Sequence, residues 1–260
     1  MISKSFNYKN WKIVENKSHI LRQEGDERTE FESKIKIPMY PDMIFNNNFI
    51  EMSHLIKENC INLNKIVFQV TDALKMVQSG INKITVAAAD VWQEANAHIL
   101  TSEIVDQPNE STKSEFDWTF TTEYSGTLIG DWRINQTDEK INYEILKEKE
   151  PILFFSEMSL FEDELGDNGC VQLMLRLRVM KSGFFLLQRF FLRVDNRLLR
   201  VFDTRLCCGA AIGSDDYFLR EIRHKESSVW TEKMSGVGIM EADVFCDNEI
   251  KHYCEKLIPM

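Results

Sequence analysis

The stretch Phe184–Leu206, reading FFLLQRFFLRVDNRLLRVFDTRL, decides the fold. Successive side chains of a strand point to opposite faces. An extended Phe184–Val194 therefore puts Phe184, Leu186, Phe190, Leu192 and Val194 on one face, with only Gln188 interrupting, and Arg189 and Arg193 on the other. Asp195-Asn196 can supply the positive φ values of a two-residue turn, after which the chain returns as a second strand. This is a core hairpin with one charged face, and that face needs a partner.

Working outward, Leu173, Leu175, Leu177 and Val179 alternate with Met174, Arg176 and Arg178, a half-buried strand that Lys181-Ser182-Gly183 turns into the hairpin. Three consecutive antiparallel strands form a meander. Further strands are expected at Trp11–Val14, His19–Gln23, Ile66–Val70, Ile84–Ala87, Trp118–Tyr124 and Ile152–Phe155. Helices are expected after Thr71 or Asp72 as cap, over about Ala89–His98, over Ile141–Glu148, and as a short amphipathic element at Asp247–Leu257. The fold class is α+β: antiparallel β-sheets, meander or sandwich-like, with peripheral α-helices. No Pro/Gly/Ser-rich linker or repeat divides the chain, so residues 1–260 are expected to form a single domain.

The composition, 43% apolar and 28% charged, is that of an ordinary soluble globular protein. No stretch approaches the roughly 20 apolar residues of a membrane helix, and the opening MISKSFNYKNWKI lacks the apolar run of a signal peptide. Six irregularly spaced cysteines then read as reduced thiols, and the expected location is cytoplasmic, the nucleus included. A net charge of −10 argues against nucleic acid or anionic membrane as partner. The charge is uneven: Gln172–Arg205 carries a local +6, leaving −16 on the remainder.

Little in the sequence suggests catalysis. GxSxG, GxxxxGK[ST] and GxGxxG are all missing. The acidic run Glu162-Asp163-Glu164 could hold a divalent metal, and a metal-dependent hydrolase using Glu162, Glu164 and Asp203 is the alternative reading, but a solvated acidic turn explains the run as well. Cys246, His252 and Cys254 lie close together, yet a structural zinc site needs a fourth ligand at suitable spacing. No metal, no cofactor and no enzymatic activity are expected. Asp216-Tyr217-Phe218-Leu219 reads as a strand.

Asp117–Leu128 (DWTFTTEYSGTL), Leu160–Leu165 (LFEDEL) and Phe184–Leu206 together closely resemble the TIPRL family, the TOR-signalling-pathway regulator-like proteins. Weaker matches at Trp11-Lys12, Pro38–Phe45, Thr71–Leu74, Trp92-Gln93-Glu94 and Cys254–Leu257 carry the likeness across nearly the whole chain. The resemblance implies a non-enzymatic regulator that binds the catalytic subunits of type 2A family serine/threonine phosphatases, inhibiting them and affecting their assembly in TOR and stress signalling. It also implies a cleft for the catalytic subunit's C-terminal tail. A third reading is a scaffold that uses other partners, such as the alpha-four-type phosphatase adaptor, without direct phosphatase contact. Family positions tied to phosphatase binding fall on Asp72, Ile152, Val201 and Asp203, with Val201 standing where the family has methionine and Asn196 where it has a turn glycine. To these the residue pattern adds Arg200 and Arg205, because arginines beside apolar side chains suit an acidic peptide and its terminal carboxylate.

Overall fold

A computed structural model of the chain describes residues 2–37, 39–55, 64–76, 84–95, 115–118 and 123–260. The opening hairpin is two 12-residue strands, β12 (Gly183–Val194) and β13 (Leu198–Gly209). They sit mid-way in an antiparallel meander: β10 (Phe154–Asp163), β11 (Gly169–Val179), β12, β13, β14 (Ser214–Ser227) and β15 (Asn248–Pro259) pair in chain order. Two strands from earlier in the chain close the edges, β3 (Met43–Ile44) on β10 and β9 (Trp132–Thr137) on β15, giving eight strands. A second antiparallel sheet of five contains β1 (Ile2–Tyr8), β2 (Trp11–Lys17), β4 (Phe49–His54), β5 (Lys65–Gln69) and β8 (Thr127–Ile129), in that order. A separate pair joins β6 (Ile84–Ala87) to β7 (Glu115–Trp118). The fold is thus mostly antiparallel sheet with few helices, more strongly β than the sequence pattern suggests.

The alternation in β12 places the apolar row as expected. Phe184, Leu186, Phe190, Leu192 and Val194 all join a core that also takes Trp11, Ile13, Ile50, Met52 and Phe68 from the five-stranded sheet. Trp11 lies 4.0 Å, centroid to centroid, from Phe218, and Phe184 meets Tyr8 and Phe218 edge-on. Phe218 is fully buried, so the Asp216–Leu219 stretch is indeed a strand. Gln188, the flaw in the apolar row, is wholly buried, and its amide donates to the Tyr124 carbonyl. Tyr124 in turn donates its hydroxyl to the Val67 carbonyl of β5 at 3.0 Å. The interruption is a polar rivet between the sheets, since a buried amide is stable only when hydrogen-bonded.

Several expectations need correction. The hairpin loop has three residues, Asp195–Arg197, because Val194 pairs with Leu198; only Asn196 takes positive φ, at 62°. Asp247–Leu257 is no helix. Ile250, Tyr253, Cys254 and Leu257 recur at helical spacing, but the segment lies between β14 and β9 and its backbone is taken up by both ladders. Pairing on two sides outweighs a local preference worth fractions of a kcal/mol per residue. His19–Gln23 contributes one backbone bond, from Leu21 N–H to Ile44 O, and no strand. The acidic stretch after it forms α1 (Asp26–Lys34), which buries only Phe31. Strands β1 and β9 lie where none was expected.

Helix α2 (Val70–Lys75) starts two or three residues earlier than read, with an extended Gln69 at the cap position expected of Thr71 or Asp72; Gly80 lies outside the described residues. α3 spans Asp90–Ala95 and α4 spans Tyr143–Lys147. Of the expected Trp118–Tyr124 strand, Trp118 ends β7 and residues 119–122 lie outside the described set. No helix among the described residues is long and apolar enough to cross a membrane.

Candidate functional site

The large sheet has a second face, turned away from the five-stranded sheet. Strand pairing sets its side chains in lateral rows. One row runs Ser159, Met174, Arg189, Asp203, Arg223, His252. The next runs Glu157, Arg176, Leu187, Arg205, Glu221, Cys254. A third begins Phe155, Arg178, Phe185, Cys207, Leu219.

Two pieces of chain cover parts of this outer face. Ile141 and Leu146, the latter in α4, cap Met180, Cys207, Leu219 and Cys254. The irregular run from Trp230 to Cys246 covers Phe191, Leu199 and Val201. Between the covers lies an open groove of ≈ 500 Å³, lined by Ile152, Phe155, Glu157, Arg176, Arg178, Phe185, Leu187 and Met240. Three of its apolar side chains are exposed, Ile152 by 52%, Phe155 by 49% and Met240 by 40%. Exposed large apolar residues gathered in one concavity are the usual mark of a contact surface.

Asp203 lies beside this groove but does not open into it. It is 1% exposed, and its carboxylate accepts from Arg189 Nε and Nη2 at 2.7 Å each and from Arg205 Nη2 at 2.8 Å. Arg189 then donates Nη1 to the carbonyls of Ile239 at 3.0 Å and Met240 at 3.3 Å. Asp203 therefore orients the guanidinium that fixes the groove's Met240 rim. Arg205 continues to Glu221, whose carboxylate also accepts the Tyr143 hydroxyl. Burial opposes charge on Arg205, but Asp203, Tyr143 and Glu221 outweigh it and hold its pKa above the ordinary value.

The remaining site residues separate. Val201 shares the outer face with Asp203 and Arg205 but is 1% exposed under the 230–246 cover. Arg200 cannot share that face: one position out of step, it projects inward and pairs with Glu226, Nε to Oε2 at 2.7 Å. The wall expected of Arg200–Arg205 is thus made by alternate residues only. Asp72 stands in the five-stranded layer, where it accepts from Gln69 Nε2 at 2.8 Å and Thr127 Oγ1 at 2.7 Å, clamping α2 to β8 rather than capping its own helix.

The arginine surplus is also less open than its count suggests. Arg176 pairs with Glu157, Arg189 and Arg205 with Asp203, Arg193 with Asp195, and Arg200 with Glu226. The partner that the charged face needs is largely the protein itself. Sequence reasoning missed the groove's own residues, Phe155, Phe185, Leu187 and Met240; the outward parity of Phe185 and Leu187 was the available signal.

The residues of the hydrolase alternative are not assembled. Glu162 is bonded to Gln172 Nε2 at 2.7 Å, and its row reaches β13 at Val201, three strands away or roughly 14 Å. One ion cannot bridge Glu162 and Asp203 across that gap. The adjacent thiols Cys207 and Cys208 project to opposite faces, and burial pushes Cys207 up to about 12, which leaves it unreactive at neutral pH.

A model of the TIP41-like family matches residues 43–232. The TIP41-like protein of Homo sapiens is 38% identical over 259 residues, 95% of this chain and 87% of that protein. The TIP41-like protein of Caenorhabditis elegans is 38% identical over 203 residues, 77% of this chain and 66% of that protein. A protein of Saccharomyces cerevisiae named type 2A phosphatase activator TIP41 is 36% identical over 212 residues, 78% of this chain and 58% of that protein.

Proposed function

The chain belongs to the TIP41-like family, and we propose on that footing that it is a non-enzymatic regulator that binds the catalytic subunits of type 2A family protein phosphatases. The observation that carries this reading is the outer-face groove. It is apolar at its floor, exposed at its rim, and braced by a buried charge network that contains Asp203 and Arg205. The yeast relative's name supports the choice of partner. Ile152 contacts the catalytic subunit directly, whereas Asp203, Arg205 and Val201 hold the groove in shape. Asp72 and Arg200 act through the fold. The occupant is the subunit's acidic C-terminal tail, with further surface beyond it, since stable complexes bury about 1,600 Å² in total.

The reading extends to a role in TOR and stress signalling, to a cytoplasmic and nuclear location, and to one folded unit over the whole chain. The alpha-four-type adaptor joins through the phosphatase. The test is binary capture of a purified type 2A catalytic subunit by the purified chain. Wild type should bind, and Ile152→Asp with Phe155→Asp should lose at least tenfold in affinity with an unchanged circular dichroism spectrum. Full-strength binding by that double variant would place the contact elsewhere. Phosphatase assay of the same complex gives the sign of the effect. A fall in activity supports the inhibition that the resemblance implies, and a rise supports the sense of the yeast relative's name.

A further inference from the structure

At the far end of the charge network the outer face carries a second constellation. Glu221 and Cys254 are direct cross-strand partners, and His252 precedes Cys254 by two residues, on the same face. Their ligand atoms all lie within 4.8 Å of one another, the one such group of His, Cys, Asp or Glu found among the described residues. We propose that Glu221, His252 and Cys254 form a binding site for a divalent transition-metal ion, zinc above all, with three protein ligands and one open position.

The donor set selects the ion. A thiolate, an imidazole and a carboxylate suit zinc, while magnesium and calcium take oxygen ligands and would reject the sulfur. Bonds of about 2.0–2.3 Å in a tetrahedron put ligand atoms roughly 3.3–3.8 Å apart. Glu221 Oε1 and His252 Nε2 are 2.8 Å apart and the whole set spans no more than 4.8 Å, so closing on an ion takes side-chain rotation and no strand movement.

The surroundings pre-orient the ligands. Tyr143 and Arg205 both bind Glu221 Oε2, which leaves Oε1 facing the other two ligands. Glu249, whose Oε1 also accepts from Arg223, lies 3.7 Å from His252 Nδ1, beyond hydrogen-bond reach but close enough that a side-chain rotation would let it accept the N–H of a metal-bound imidazole. The charges of a carboxylate and a thiolate match a divalent ion. Arg205 and Lys140 are the adverse neighbours, and the other edge of Arg205 is neutralised by Asp203. On the open side a hollow of ≈ 410 Å³, lined by Thr137, Asp138, Lys140 and Tyr253 besides His252 and Cys254, leaves room for water as fourth ligand. Cys246, close in sequence, is not part of the set; its thiol faces the Leu199 carbonyl in an apolar cluster.

The experiment titrates the full chain, freed of metal with a chelator, with cobalt(II) as a spectroscopic stand-in for zinc. Expected are one equivalent bound, intense tetrahedral d–d absorption and a thiolate-to-cobalt charge-transfer band, all displaced by zinc. Cys254→Ser should remove the charge-transfer band. His252→Ala, at an exposed position, should fold normally and weaken cobalt binding at least tenfold. A wild-type chain without the band overturns the proposal, and so does a band that survives at full amplitude in Cys254→Ser, since another thiol would then be the ligand.

Discussion

Arg189 and Asp203 face each other across β12 and β13 with both carboxylate oxygens engaged, Nε to Oδ1 at 2.7 Å and Nη2 to Oδ2 at 2.7 Å, and their side chains are 4% and 1% exposed. The pair is sealed under Ile239 and Met240, whose carbonyls take the guanidinium's remaining nitrogen. Removing one member strands the other's charge in a low-dielectric setting, a loss of about 3–5 kcal/mol. Asp203→Leu should therefore lower the urea midpoint markedly. Arg189→Met combined with Asp203→Leu should recover part of that loss, because a well-packed apolar pair can replace a buried ion pair while Arg205, deprived of Asp203, keeps Glu221 and Tyr143. Equal midpoints for wild type and Asp203→Leu would show that the pair is not buried. Loss of phosphatase capture in Asp203→Leu alone then reports the shape of the groove, and the double variant tells shape from direct contact.

The hairpin loop offers a cleaner stability test. Asn196 is exposed and held at a φ of 62°, a left-handed conformation that Asn and Gly adopt readily and β-branched residues do not. Asn196→Gly should change stability by only a few tenths of a kcal/mol, whereas Asn196→Val should cost about 1–2 kcal/mol. Equilibrium urea unfolding resolves the two, and indifference to valine would mean that the loop can rebuild as another turn.

Two buried groups give the chain opposing pH dependences. Burial raises Asp163 to about 6, above an unfolded value of roughly 3.9. The folded state then holds that proton more tightly, so this contribution to stability falls as pH rises from about 4 to 6, by no more than about 3 kcal/mol. Burial, with Arg200 nearby, lowers His224 below its ordinary value. Its contribution is complete above about pH 6.5 and is lost as pH falls below that. Because the windows overlap, difference curves are needed. The stability of Asp163→Asn relative to wild type should rise from pH 4 to 6, and that of His224→Phe should rise as pH drops below 6.5. Flat difference curves would refute both assignments.

How much of this could be read in the sequence depended on whether the signal was local. The alternation of Phe184–Val194 identified strand, face and core together, because strand parity needs only neighbours in the chain. Gln188 looked like a defect in the row since its partner, the Tyr124 carbonyl, lies 64 residues away. The arginines looked free for the same reason. A sequence counts charges but cannot set Arg200 opposite Glu226 or Arg176 opposite Glu157 without the register. Ile152 and Val201 both read as apolar site residues, and only the 230–246 cover separates an exposed contact from a buried support. That cover is short turns with no periodicity to announce it.

The pairing of the arginines changes what ionic strength should do. In the groove, Arg176 is held by Glu157 at 2.8 Å in a pair whose side chains are 35% and 43% exposed, while Arg178 donates to the Leu146 carbonyl at 3.2 Å. An exposed pair of this kind is worth about 0–1 kcal/mol, so an incoming carboxylate competes with Glu157 on nearly equal terms. Affinity for an acidic tail peptide should consequently fall only gently with added salt. Glu157→Gln removes the internal competitor and leaves Arg176 to the peptide. It should tighten binding by up to about fivefold, the equivalent of about 1 kcal/mol, and steepen the salt dependence. Titrations of wild type and Glu157→Gln at low and high salt check both effects together. Weaker binding by Glu157→Gln would mean that Glu157 itself meets the partner, and the groove would then suit a basic segment instead.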